Sequence, residues 1–174
     1  MKIGLFIVAF AFTGGCFYPP QQKPPAPNRT AITVNIAYDL ALDAVQTVVR
    51  ENTYRVITNN PNDGMIEAQQ IGGFTLADAD CGMVRGIGGK IKTEPDPDAS
   101  VVYDFHIKPQ NEHASTIDVE ATFAAPLHVP LHPISDVQCV SRGAQEARLL
   151  GQIRQQALLE HRAVEHVDLR KSAQ

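Results

Sequence analysis

The chain has no tryptophan, only 6% aromatic residues and just three cysteines in 174 residues. With so few aromatics there are few platforms on which bases or sugars could stack. Positive charge is not in excess: 15 Lys and Arg stand against 19 Asp and Glu, a formal net charge of -4. No basic field exists to gather phosphates, so nucleic acid is not an expected partner. Nor is there an apolar run long enough to span a bilayer. The run from Ile3 to Thr13 would rise roughly 16 Å as a helix, well short of the ~30 Å hydrocarbon core.

Catalytic and cofactor signatures are equally sparse. No Gly-x-Ser-x-Gly elbow, Ser-His-Asp order or separated carboxylate pair stands out, so the sequence makes a thin case for an enzyme. His128 and His132 are four apart, but Pro126, Pro130 and Pro133 forbid the helix that would put them on one face. His161 and His166 would point about 140° apart on a helix. Neither pair has zinc-site spacing, and no metal or cofactor is expected. The stretch Cys81 to Lys90, CGMVRGIGGK, superficially resembles a phosphate loop. It has Val84 where the first glycine belongs and Ile91 in place of the magnesium-binding hydroxyl. Glu94, Asp96 and Asp98 in TEPDPDAS are separated by prolines, which suits a solvated acidic turn better than a calcium loop. Asp78 and Asp80 read the same way.

What is present begins at the N-terminus. Lys2, the short apolar run and the small pair Gly14-Gly15 have the layout of a secretory signal peptide, and the small residues lead directly to Cys16. Here the sequence resembles a bacterial lipoprotein. Thr13-Gly14-Gly15-Cys16 matches a lipobox at its two small positions and its cysteine, with threonine where leucine is usual. The resemblance implies cleavage after residue 15 and acylation of Cys16. It also implies residence in the cell envelope, with Phe17 rather than aspartate directing the protein to the inner leaflet of the outer membrane. Residues 16–29 follow as a tether. Phe17 to Asn28 (FYPPQQKPPAPN) holds five prolines in twelve residues, a composition that favours extended polyproline II at about 3.1 Å per residue.

Residues 30–167 read as a single α+β domain, ending in a polar tail at 168–174. Thr30 to Ile36 alternates and is β-branched, the mark of a strand. Asn35 is placed to cap a helix carrying Ala37, Leu40, Ala41, Ala44, Val45, Val48 and Val49 as its apolar stripe. Tyr54 to Thr58 and Met65 to Ile71 read as strands joined by the turn residues Asn59 to Gly64. Between Gly72 and Ser100 a single short strand near Ile87 to Thr93 is expected. Val101, Tyr103, Phe105 and Ile107, then Ile117, Val119, Ala121 and Phe123, predict a hairpin with one dry face and one wet face. A helix from Arg142 to about Glu165 should bury Ala147, Leu150, Ile153, Ala157 and Leu158.

The whole predicts a two-layer sandwich, an antiparallel sheet of about five to six strands packed against two helices. In topology it is similar to the helix-grip domains of outer-membrane assembly lipoproteins such as BamC. Cys81 and Cys139 are expected to form a disulfide pinning the glycine-rich loop to the base of the last helix, worth roughly 4 kcal/mol in an oxidising compartment. A catalytic thiol or two unpaired thiols are the alternatives.

The expected function is a membrane-anchored periplasmic module that binds lipid through acylated Cys16 and docks an envelope protein without catalysis. The alternative is a small-ligand binder with a cavity between sheet and helix, gated by the Gly72 to Gly89 loop. An envelope enzyme ranks behind both.

Overall fold

The computed structural model describes residues 30–86, 89–92, 98–129 and 132–172. The expected signal peptide, Cys16, the expected tether, Glu94 and Asp96 lie outside the described residues. In chain order the elements are β1 (Thr30–Val34), α1 (Tyr38–Glu51), β2 (Arg55–Asn60) and β3 (Met65–Ile71). Then come β4 (Ala79–Asp80), β5 (Met83–Gly86), β6 (Gly89–Lys92), β7 (Ser100–Asn111), β8 (Ala114–Val129), β9 (His132–Ser141) and α2 (Ala144–Ser172). The class is α+β: one open antiparallel sheet of seven strands carries the two helices. That exceeds the five to six strands expected, because β4 and β9 were not legible. β5 and β6 pair only with each other, as a hairpin where one strand was expected.

The long strand β8 organises the sheet. One side of it pairs with β7 from Ser100↔Ala124 to Asn111↔Ala114. Its other side is shared end to end. β1 takes the first half, from Val34↔Ser115 to Thr30↔Val119, and β9 takes the second, from Phe123↔Cys139 to Val129↔His132. Beyond β7 lie β3 and then β2, which closes the path at one edge.

Alternation along these strands sends every second side chain to the helices. Ile66 and Ala68 of β3, Val101, Tyr103, Phe105 and Ile107 of β7, and Ile117, Val119, Phe123 and Ala125 of β8 are all buried. α1 covers them with Ala41, Leu42, Ala44, Val45, Val48 and Val49. Its N-cap is Ala37, which makes no side-chain cap bond, so the expected cap at Asn35 is not formed. α2 buries Leu149, Leu150, Ile153 and Ala157, together with the polar Gln145 and Glu146. The expected stripe was therefore offset: Ala147 faces solvent and Leu158 is 55% exposed. The helix also runs past Glu165 to Ser172, through most of the stretch that reads as a polar tail. From Leu158 to Glu165 it has left the sheet behind, and only Glu160 is partly covered.

One turn is tied tightly to the sheet. Gly64, between β2 and β3, has φ +65°, and its carbonyl accepts from Ile107 N at 2.8 Å. A Cβ at this position would sit 2.1 Å from the Ile107 carbonyl oxygen, so only glycine fits.

Candidate functional site

Three regions concentrate the polar chemistry of the described residues. The first is the corner where the glycine-containing loop 72–82 meets β9 and α2. Cys81 and Cys139, 58 positions apart, have their sulfurs at 2.05 Å, disulfide distance. The loop is held there by more than the sulfurs. β4 pairs with β9 through Ala79↔Ser141 and Asp80↔Val140, and Arg142 N donates to the Asp78 carbonyl at 2.8 Å. Arg142 Nη2 lies 3.2 Å from Asp80 Oδ2, an exposed pair that adds little by itself. The Asp78 carboxylate turns inward on its own loop, accepting from Thr75 N at 2.8 Å and Thr75 Oγ1 at 2.9 Å. Phe74 sits edge-on to Phe123 with centroids 5.0 Å apart and is buried, so the loop closes one end of the core. Glu146, 1% exposed in the first turn of α2, receives the Ser141 hydroxyl on Oε1. Its Oε2 has no hydrogen-bond partner among the described residues. The positive end of the helix favours a carboxylate at that position.

The second region is a polar seam between the sheet and the two helices. The Tyr103 and Tyr54 rings stack with centroids 5.0 Å apart. The Tyr103 hydroxyl lies 3.2 Å from Gln70 Oε1 and 3.1 Å from Gln145 Oε1, and with one proton it donates to one at a time. Arg148 Nη2 donates to Gln145 Oε1 at 2.7 Å and to the Tyr54 hydroxyl at 3.0 Å. Burial, and then the neighbouring Tyr54, push the Tyr103 phenol well above its usual range, so it stays neutral and serves as a donor. Sequence reading missed this seam. Tyr103 fell on the dry face, and nothing local to Gln70, Gln145 or Arg148 announces that they converge.

The third region is the face of the sheet that carries no helix. Register aligns Glu67, Asp104 and Glu120 as one row across β3, β7 and β8. His106 lies in the next row between Met65 and Asp118. Thr58 Oγ1 donates to Glu67 Oε2 at 3.0 Å from the edge strand. Burial first, then Glu67, with Glu120 adding to it, hold the Asp104 carboxyl above the ordinary range; His106 opposes them. Along the same edge, β2 has five exposed residues in succession, with Val56 46% and Ile57 48% exposed.

The other candidates from the sequence stay dispersed. His128 and His132 fall on β8 and β9, opposite Pro133 and Val129 respectively. His161 pairs instead with Glu165, Nε2 to Oε1 at 3.7 Å. The glycine-rich stretch after Cys81 enters a hairpin and not a helix, which removes the strand-to-helix setting a phosphate loop requires. No group of three or more His, Cys, Asp or Glu among the described residues is arranged to hold a metal ion. No helix among them is long and apolar enough to cross a membrane. Comparison with protein-family models and with curated proteins finds no match to this chain.

Proposed function

We propose that the chain is an envelope lipoprotein. On this reading Cys16 carries the lipid, residues 16–29 are a stiff leash, and the α+β domain docks a protein partner without catalysing a reaction. The leash and anchor follow from the lipobox resemblance and the proline content. The observation that carries the docking role is the one-sided construction of the domain. Its core lies wholly on the helix face, while β2 at the sheet edge is exposed on both its sides. An edge strand left open is a ready template for strand addition.

The test is a non-reducing intact mass of the protein extracted from the membrane fraction, followed by crosslinking in whole cells. A chain starting at Cys16, heavier by acyl groups and lighter by two hydrogens, supports the anchor and the bridge together. An unmodified Cys16 or cleavage elsewhere overturns the anchor.

A second reading, a small-ligand binder, is favoured by the Tyr54-Tyr103-Arg148 seam, which lies where sheet and helix would enclose a guest. Native mass spectrometry of the extracted protein separates the two readings. A retained small molecule, lost in Arg148→Ala, favours the binder.

A further inference from the structure

We propose that β2 is a self-association edge, through which two copies of this chain pair antiparallel about a two-fold axis between Ile57 and Thr58. This rests on the docking role proposed above and names a second copy as the partner. β2 is the strand that closes the seven-stranded path at this end of the sheet. Its sequence, Arg55-Val-Ile-Thr-Asn-Asn60, places three β-branched residues in a row and carries one charge. It holds no lysine or proline to blunt a free edge, and its one charge, Arg55, stands at the end of the strand. Val56, which pairs with Ala68, and Ile57 beside it are about half exposed. The register shift between Val56 and Thr58 sets Ile57 out of step with β3. It also limits the outward ladder to a few residues, so the association is weak and concentration-dependent.

Charge complementarity selects a second copy as the occupant. Antiparallel pairing about Ile57–Thr58 sets Arg55 of one copy opposite Asn60 of the other. Asn60 is at the foot of the turn that carries Asp63, and its Nδ2 donates to that carboxylate. Arg55 has no carboxylate partner among the described residues, and both Arg55 and Asp63 are exposed. The two-fold makes the contact twice, Arg55 to Asp63 and Asp63 to Arg55, with no like charges opposed. An isologous interface of this kind uses the β2 edge of both copies and closes at two. Exposed ion pairs contribute little energy, so the strand ladder and the covering of Val56 and Ile57 on pairing hold the dimer while the charges fix its register.

The experiment is sedimentation of the full-length, membrane-extracted chain in detergent across a concentration series, with variants chosen on exposed positions. The wild-type chain should pass from monomer to dimer as concentration rises. Ile57→Lys should weaken the dimer by about tenfold or more while leaving the thermal midpoint of the monomer in place. Arg55→Asp alone and Asp63→Arg alone should each weaken it, and the double variant should restore it. Co-residence in a micelle is indifferent to these charges, so restoration by the double variant is specific to the proposed contact. A monomer at every concentration overturns the proposal, as does a dimer insensitive to Ile57→Lys. Crosslinks from position 57 to a different protein overturn it too. An unlipidated chain that still dimerises counts against the anchor alone, whereas a lipidated monomer counts against the two-fold pairing alone.

Discussion

Strands β7 and β8 present two faces made from the same residues, and the two faces have opposite chemistry. Towards the helices stand Tyr103, Phe105, Ile107, Ile117, Val119 and Phe123, all 2% exposed or less. Away from them stand Asp104, His106, Asp118, Glu120 and Thr122. One face is close-packed and holds the fold, so a change there is felt as a cavity. The other carries a carboxylate row that no helix covers, and a change there leaves the core in place. Close packing and surface charge are thus separated by the period of two along each strand.

The largest effect expected is at the packed face. Phe105→Ala should cost about 3–5 kcal/mol in chemical denaturation, enough to leave a domain of this size marginal. Thr122→Ala, on the opposite face of the neighbouring strand, should stay within about 0.5 kcal/mol. Comparable losses from the two variants would refute the division of labour between the faces.

The cysteine corner comes next. Replacing both Cys81 and Cys139 with alanine should lower stability by about 2–4 kcal/mol, because the link shortens the unfolded chain's reach over 58 positions. The loss should show as a lower thermal midpoint. The β4–β9 pairing and the Asp78–Arg142 bond remain to hold the loop, so circular dichroism should keep its native shape. A variant that loses its secondary structure would mean that the bridge is needed for folding and does more than brace the folded state.

Gly64→Ala tests the turn that leads out of β2. The added methyl meets the Ile107 carbonyl, and alanine is strained at φ +65°, so a loss of about 1–3 kcal/mol is expected. Because this turn carries Asp63 and sets the end of the edge strand, the same variant should weaken self-association. A variant as stable as the parent would show that the turn can shift away from β7.

How much of this was legible in the sequence follows from how far each signal reaches along the chain. Met65–Ile71 and the alternating runs of β7 and β8 declare themselves, because period-two burial is a local pattern. The end of β8 and all of β9 do not. Pro126 and Pro133 interrupt the pattern there, and the strands pair only because each is the other's neighbour across residues 130–131. α2 begins near the expected position, but its inner stripe includes Gln145 and Glu146. Their burial depends on Tyr103, 42 positions before Gln145, and on Ser141 at the end of β9. The cysteine pair was readable by counting, since an even pair remains once Cys16 is set aside. The Tyr54–Arg148 seam joins residues 94 apart and has no local signature.

The smallest effect concerns the uncovered face and depends on pH. The Asp104 carboxyl is held above the ordinary range by partial burial and then by Glu67 and Glu120, so the folded protein holds this proton more tightly than the unfolded chain does. Protons bound in the native state exceed those bound in the unfolded state across that interval, and stability therefore falls as pH rises through it. Below the unfolded Asp range both states are protonated and the penalty vanishes. Above the raised value both are ionised and it is fully present. Asp104→Asn should remove this slope. It should leave stability unchanged at about pH 3 and raise it by at most about 0.5 kcal/mol at neutral pH, since solvent and salt screen an open face. Glu67→Gln should deliver part of the same gain by removing the stronger of the two neighbouring charges. Paired thermal melts of the variant and the parent across this range give the answer as a difference, which cancels the other carboxylates. A gap of the opposite sign, with the variant less stable than the parent at neutral pH and equal to it at about pH 3, would mean that the carboxylate is stabilised by its charge and that His106 or another cation on this face outweighs the burial.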